Sequence, residues 1–249
     1  MAIFVGRAGW SIRRERTNLF GAGPNHLARY ASRFDAVEIN SSFYKPHRGA
    51  TYARWAASVP AGFRFAVKLP RAITHDARLK QTDSAIAAFV EQACNLDKKL
   101  GPLLIQLPPS LAFDSGVAGR FLERLRAHFG GYAVCEPRHA SWLSPDADNL
   151  LVSFEIARAA VDPAPASGAD APGGWAGIRY YRWHGSPVMY RSDYSAQSLA
   201  ILAARVNDCE AASRWCIFDN TAHGAATENA LALAAMCAAR DRRESEIAR

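Results

Sequence analysis

The sequence contains no CxxC pair, and its five cysteines, Cys94, Cys135, Cys209, Cys216 and Cys237, are odd in number. Such spacing supports neither a disulfide framework nor a zinc knuckle, so a reducing cytoplasm is the expected compartment. No apolar run approaches the ~20 residues that a membrane-spanning helix needs, and no membrane association is expected. The opening residues, MAIFVGRAGW, lack a basic segment followed by an apolar core and a cleavage site, so no signal peptide is expected. The GxGxxG spacing of a dinucleotide-binding turn is also missing, since VGRAGW follows the first expected strand with glycines at another interval.

What is present is a chain of 249 residues, 49% hydrophobic and 21% charged, which is enough to build a full core and argues against global disorder. The formal net charge of +7 attracts anions, nucleic acid among them. Two basic stretches are visible, Arg13-Arg14-Glu15-Arg16 and the charged tail at 240–249. Neither is interleaved with aromatic residues for base stacking, so a nucleic-acid partner has only weak support.

Strand-like and helix-like segments alternate along the chain. Strands are expected at 3–8, 36–40, 63–69, 103–109, 132–138, 159–162, 177–185 and 215–220. Helices are expected at 26–34, 49–59, 83–100, 117–129, 146–158, 195–207 and 225–239. Parallel strands need crossover connections, and eight such units in ~250 residues is the size of a (β/α)8 barrel. The expected fold is therefore α/β: a single TIM-barrel-like domain over 1–249, with helix 6 replaced by the Pro/Gly/Ala-rich loop PAPASGADAPGG at 163–174. That loop reads equally as a mobile flap or as a short substitute for a helix. An open doubly wound sheet is the alternative architecture.

In a parallel barrel, functional groups gather at the C-terminal ends of the strands. There the chain places Arg7, then Glu38 and Asn40, then Lys68 with Arg71 and His75 just beyond. Further strands contribute Gln106, Glu136 with Arg138, Arg182 with His184, and Asp219 with Asn220; a sixth strand ends at Asp162. Strand side chains alternate with period two, so Glu38 and Asn40 share a face, as do Glu136 and Arg138, and Tyr180, Arg182 and His184. A lone buried carboxylate is costly, so Glu38 requires a partner, with Lys68, Arg138 and Arg182 available. A polar layer that merely closes the barrel is the competing account.

Six stretches in order, VEINSSFY, FRFAVKLPRAITH, KLGPLLIQLPPS, CEPRHASW, RWHG and FDN, resemble the YecE-like proteins, domain of unknown function 72. The resemblance runs over about 5–233. It implies a TIM-barrel-like fold and no established activity. Carried onto this chain, the family's motif residues include Glu38, Asn40, Tyr44, Lys68, Arg71, His75, Gln106, Glu136, Arg138, Arg182, His184, Asp219 and Asn220. Arg7 and Ala8 depart from the family, which has small hydroxyl residues there.

The functional expectation is an enzyme or ligand-binding protein for a small anionic or sugar-like molecule, phosphate- or carboxylate-bearing, at the barrel mouth. Glu38 or Glu136 is the candidate general base and His184 the acid or orienting group. Arg7, Asn40, Tyr44, Lys68, Arg71, His75, Gln106, Arg138, Arg182, Asp219 and Asn220 are the candidate binding residues. Glu38, Glu136, His184 and Asp219 could approach a divalent metal, but neighbouring cations would repel it and the usual multi-histidine set is absent; no metal is assigned and the cofactor is left unknown. The alternatives are a nucleic-acid-binding protein or phosphodiesterase, and a non-catalytic ligand sensor.

Overall fold

The computed structural model describes residues 2–247, and the side chains of 2–239. The side chains of the charged tail therefore lie outside the described residues. The organising element is one ten-stranded mixed sheet, curled into a nearly closed, TIM-barrel-like barrel. Its strands are β1 (Ala2–Ala8), β2 (Ala36–Ile39), β3 (Arg64–Lys68), β4 (Leu100–Gln106) and β5 (Ala133–Glu136). They continue with β6 (Ile156–Arg158), β7 (Ala160–Asp162), β8 (Gly173–Gly174), β9 (Ile178–Trp183) and β10 (Ser213–Phe218). The helices are α1 (His26–Tyr30), α2 (Ser41–Tyr44), α3 (Gly49–Ala57), α4 (Asp83–Ala93), α5 (Ser115–His128), α6 (Pro145–Ser153), α7 (Ala196–Asn207) and α8 (Ala225–Ile247).

Closure depends on one bent strand. β6 pairs in parallel with β5, and β7, one residue later, pairs in parallel with β9. The chain thus changes neighbour at Ala159, whose N–H donates to the Cys135 carbonyl at 2.8 Å. The expected helix over 146–158 ends early, at Ser153, and its last residues become β6. Phe154 and Glu155 break the helix, Glu155 with φ +55°; Ile156 and Ala157 then enter the sheet fully buried. The 163–174 segment is not wholly irregular, as β8 pairs antiparallel with β6. No helix forms between β7 and β9. Instead Ala169 is buried, its carbonyl accepts from Val161 N–H at 2.8 Å, and Arg158, itself held by Asp148, reaches the Gly168 and Ala171 carbonyls.

Two apolar clusters separate the inside of the barrel from the layer beneath the helices. Inside, Ala36, Ala66, Leu104, Val134, Ala157, Ile178, Tyr180, Trp215 and Ile217 pack together, with Phe4 and Ala8 against them. Val5, Val37, Val67, Leu103 and Cys216 face outward into the helical layer. Small inward residues leave room for large rings: Trp215 stacks on Tyr180 at 6.0 Å, and a Cβ at Gly101 would lie 2.6 Å from its indole. Such alternation of small and large residues fills a barrel without voids.

Gly6 is a tight point against backbone. Tyr30 reaches from α1 to the seam between β1 and β2, where its hydroxyl accepts from Arg7 N–H at 2.9 Å and donates to the Ala36 carbonyl at 2.8 Å. A Cβ at Gly6 would lie 2.1 Å from that carbonyl oxygen. Gly6→Ala is expected to destabilise the fold by at least ~1–3 kcal/mol, the usual cost of overpacking. Urea unfolding of both proteins, with unchanged slope and a lower midpoint for the variant, is the check; an unchanged midpoint would show that the seam opens freely.

Candidate functional site

Parity along each strand decides what reaches the mouth. Glu38 lies two residues beyond inward Ala36, Lys68 beyond Ala66, Gln106 beyond Leu104, Glu136 beyond Val134, Arg182 beyond Tyr180 and Asp219 beyond Ile217. A polar layer is thereby stacked on an apolar one at the C-terminal end of the strands.

Arg182 occupies its centre with 1% of its surface exposed. Its Nε and Nη2 donate to the two oxygens of Glu38 at 3.0 and 2.7 Å, Nη1 to Glu136 at 2.6 Å, and Nη2 also to Asp219 at 3.1 Å. Tyr180 adds a hydroxyl donor to Glu38 at 2.8 Å. Arg138 donates through Nε to the second oxygen of Glu136 at 2.6 Å, with Nη2 also against that oxygen. His184 Nε2 lies 2.7 Å from Arg138 Nη2 and 3.5 Å from Arg182 Nη1, so it acts as acceptor; Nδ1 then carries the proton and donates to Asp219 at 3.1 Å. Glu38, Glu136 and His184 are fully buried, and both polar atoms of each are engaged.

Burial alone would raise the carboxyl of Glu136, but the Arg182 and Arg138 guanidiniums overcome it and hold its pKa well below the ordinary value. Asp219 follows the same pattern: burial pushes it up, and the hydrogen bond from His184 with the charge of Arg182 brings it lower. For Arg182, burial opposes the charge, and Glu136, Glu38 and Asp219 more than restore it.

Lys68 differs. Its ammonium rests 4.2 Å from the ring centre of Phe43, on α2, and among the described residues meets no hydrogen-bond or ion-pair partner. Burial and the neighbouring Arg182 push its pKa down to about 8, against the smaller pull of Glu38, Glu136 and Asp219. Phe43 also carries the edge of His75 at 4.9 Å. His75 sits in a π-helical turn at Ala72–Asp76, accepts or donates with Thr74 at 2.8 Å, and is lowered by burial, Lys68 and Arg71. The Asn40 side-chain oxygen is buried without a partner. Gln106 donates to the Leu107 carbonyl at 2.8 Å.

Four expected residues lie elsewhere. Arg7 has the parity of outward Val5, and its guanidinium lies beneath the helices among Phe20, Tyr30 and Phe34, donating to Thr227 at 2.7 Å and the Ser11 carbonyl at 3.1 Å. Asn220 also turns away: its amide donates to the Ser192 carbonyl and to Asn229 on α8, tying the loop between β9 and α7 to that helix. Arg71 is exposed and paired with Asp76, and Tyr44 is 80% exposed with its ring against Phe43. Asp162, the end of the sixth expected strand, faces outward too and accepts from Tyr194 at 2.6 Å. Sequence reasoning overlooked Tyr190, whose ring meets His184 edge-on at 5.7 Å; it lies in a loop with no periodic signal. The Arg13–Arg16 stretch is largely neutralised by Glu15 and Glu228.

Two consequences are measurable. The folded pKa of Lys68 is lowered, so the unfolded chain binds its proton more tightly. Below about pH 8 this costs stability, and the cost fades as pH rises from about 8 to 10.5. Lys68→Met should therefore raise stability at pH 7 by up to ~3 kcal/mol, with the gain lost near the upper end of that window; thermal melts across the range decide it. Glu136 has the opposite sign. Its folded pKa is depressed, so its contribution is present above the unfolded value of 4.5 and lost as pH falls below it. Glu136→Gln is expected to cost ~3–5 kcal/mol at pH 7, as for a broken buried pair, and the gap between the two proteins should narrow in acid titrations below pH 4.5.

The sequence matches the family described as "Protein of unknown function DUF72" over residues 4–248. The YecE protein of Escherichia coli K12 is 28% identical over 57% of this chain and 50% of its own length. YunF of Bacillus subtilis 168 is 30% identical over 61% of this chain and 56% of its own length. The chain thus spans about half the length of the curated relatives it matches. A DUF72 family structure from Enterococcus faecalis V583 superposes with TM-score 0.78 at 23% identity, covering 95% of each chain. One from Thermotoga maritima MSB8 gives 0.78 at 23%, covering 95% of this chain and 99% of that one. A xylose isomerase-like TIM barrel/4-hydroxyphenylpyruvate dioxygenase fusion protein aligns at TM-score 0.52 and 14% identity, over 98% of this chain and 45% of that one. At these identities the superpositions speak for the fold alone. With the family matched along almost its whole length, the chain belongs to DUF72, the family that includes YecE and YunF.

Proposed function

We propose that the C-terminal mouth of this barrel binds a small molecule carrying an anionic group, a phosphate or carboxylate on a sugar-like body. The observation that carries the reading is a contrast within the polar layer. Its base is saturated, as Glu38, Glu136 and His184 have no free polar atom and no exposed surface. Its top is not. Lys68 Nζ, Arg138 Nη1 and Asp219 Oδ1 make no hydrogen bond, and Asn40 Oδ1 is buried without one. A layer serving only to close the barrel would satisfy its buried groups, yet Asn40 Oδ1 is left unpaired at a cost of ~1–3 kcal/mol, while the other three atoms are open enough for a ligand to reach.

In this reading Glu38, Glu136 and His184 position rather than react. They hold Arg182 and Arg138 rigid, so that Arg138 and Lys68 meet the ligand without reorganising. Gln106 and His75 flank the entrance. Arg71 and Tyr44, on the exposed rim, meet the ligand only after moving inward. Among the described residues no group of three or more His, Cys, Asp or Glu is arranged to hold a metal, and no described helix is long and apolar enough to cross a membrane.

Calorimetric titration with inorganic phosphate, citrate and a sugar phosphate, at low and high salt, tests the reading. Binding should weaken with salt, and Lys68→Met should weaken it by ~10-fold or more, the worth of a charged hydrogen bond. Failure of all three anions beside binding of a neutral sugar would overturn the anionic requirement. A steep salt-dependent affinity for duplex DNA would favour the nucleic-acid reading instead.

A further inference from the structure

Lys68 carries more than a charge. It stands at the last residue of β3, on a rigid element, directed inward above an apolar layer. Nothing in the protein accepts a hydrogen bond from its amine, which touches only the Phe43 ring. The carboxylates of Glu38 and Glu136 are within electrostatic reach but committed to guanidinium groups. A binding lysine is ordinarily held by an acid, whereas one that is partly buried, without an acid of its own and lowered to about 8 has its lone pair more readily available.

We propose that Lys68 is a nucleophile that forms an imine with a small aldehyde or ketone bearing the anionic group. This rests on the ligand reading above and names its reactive part. The chemistry balances without a redox partner. The ammonium releases one proton; the nitrogen lone pair bonds to the carbonyl carbon, and the carbonyl π pair moves to oxygen. A proton passes from nitrogen to that oxygen. The released proton then returns to the same oxygen, which leaves as water while nitrogen closes the C=N bond. The net change is ammonium plus carbonyl giving a protonated imine plus one water.

The surroundings suit the product as well as the reactant. Around the amine stand the acids Glu38, Glu136 and Asp219 and the guanidiniums of Arg182 and Arg138. Three negative groups against two positive leave one charge for position 68 to balance. A protonated imine keeps that charge, so the acids favour it and draw electrons from the attached carbon. His184 adds no competing proton there, since its Nε2 accepts from Arg138. Burial and the guanidinium of Arg182 oppose the ammonium and bring its pKa to about 8, so that the free amine is accessible near pH 8. Asp219 has an unpartnered oxygen to carry the proton in transit.

The test is reductive trapping on the full chain. Glyceraldehyde 3-phosphate, glyceraldehyde and glycerol 3-phosphate are each incubated at pH 8 with cyanoborohydride, which delivers hydride to an imine carbon, and the modified peptides are located by mass spectrometry. The phosphorylated aldehyde should label Lys68 at least tenfold faster than the exposed Lys45 and Lys80. Lys68→Met and Lys68→Arg should abolish that focus while retaining the wild-type circular dichroism. Inorganic phosphate should compete, and glycerol 3-phosphate should leave no adduct. Equal labelling of Lys45, Lys80 and Lys68, or none at Lys68 while phosphate binds calorimetrically, overturns the imine and leaves the anion site standing. Labelling of Lys68 by glyceraldehyde as fast as by its phosphate supports the nucleophile and removes the anionic requirement.

Discussion

The guanidinium of Arg182, enclosed by Glu38, Glu136 and Asp219, is the interaction on which the rest of the barrel mouth depends. Taking one charge out of water costs several kcal/mol, and so does each of its partners. The cost is met because the geometry is bidentate and every side-chain polar atom at the base of the layer is engaged. Tyr180 and His184, on the same face of β9, supply the remaining donors and acceptors. Remove one member and the others become uncompensated buried charges. The cluster therefore behaves as a unit, and it joins β2, β5, β9 and β10 across the barrel.

The layer below makes that cluster buildable. An arginine at the axis needs space, and inward Ala36 and Ala66, with Ala157 and Ala159 at the bent strand, provide it. The rings of Tyr180 and Trp215 then fill the lower barrel. Above the cluster the compensation stops. Lys68 rests on an aromatic face without an acid of its own, and burial with the neighbouring Arg182 lowers its affinity for a proton and, below about pH 8, the stability of the protein. A group kept at such a cost is the kind of local conflict that marks a working site.

Much of this was legible in one dimension. Alternating strand and helix signals, with crossovers of the right length, implied a barrel of eight parallel strands; the barrel is there, but as ten strands in a mixed sheet, and the missing helix was visible in the Pro/Gly/Ala run at 163–174. Glu38 in a buried strand demanded a cation, and Arg182 was among those named. The errors have a common origin. Helix α6 and β6 were merged because Ile156 and Ala157 suit either structure, and only pairing with β5 decides between them. Arg7 and Asp162 were placed at the mouth because they end strands, although both face outward. Asn220 stands beside Asp219 in the sequence and behind it in the barrel, where it ties a loop to α8.

By itself the sequence determined the class of fold, the order of most of its strands and helices, and which residues within a strand share a face, because these follow from local periodicity and turn chemistry. Only the tertiary structure decided which face is the inside. Period two fixes relative sides and not absolute ones, and a strand learns its inside from the neighbours with which it closes. The same closure decided that three acids from β2, β5 and the end of β10 meet one arginine, and that Lys68, a few ångströms from Phe43, is left without an acid of its own. Pairing between charges 37 to 144 residues apart in the chain is a property of the closed barrel, since no local rule brings them within hydrogen-bond reach.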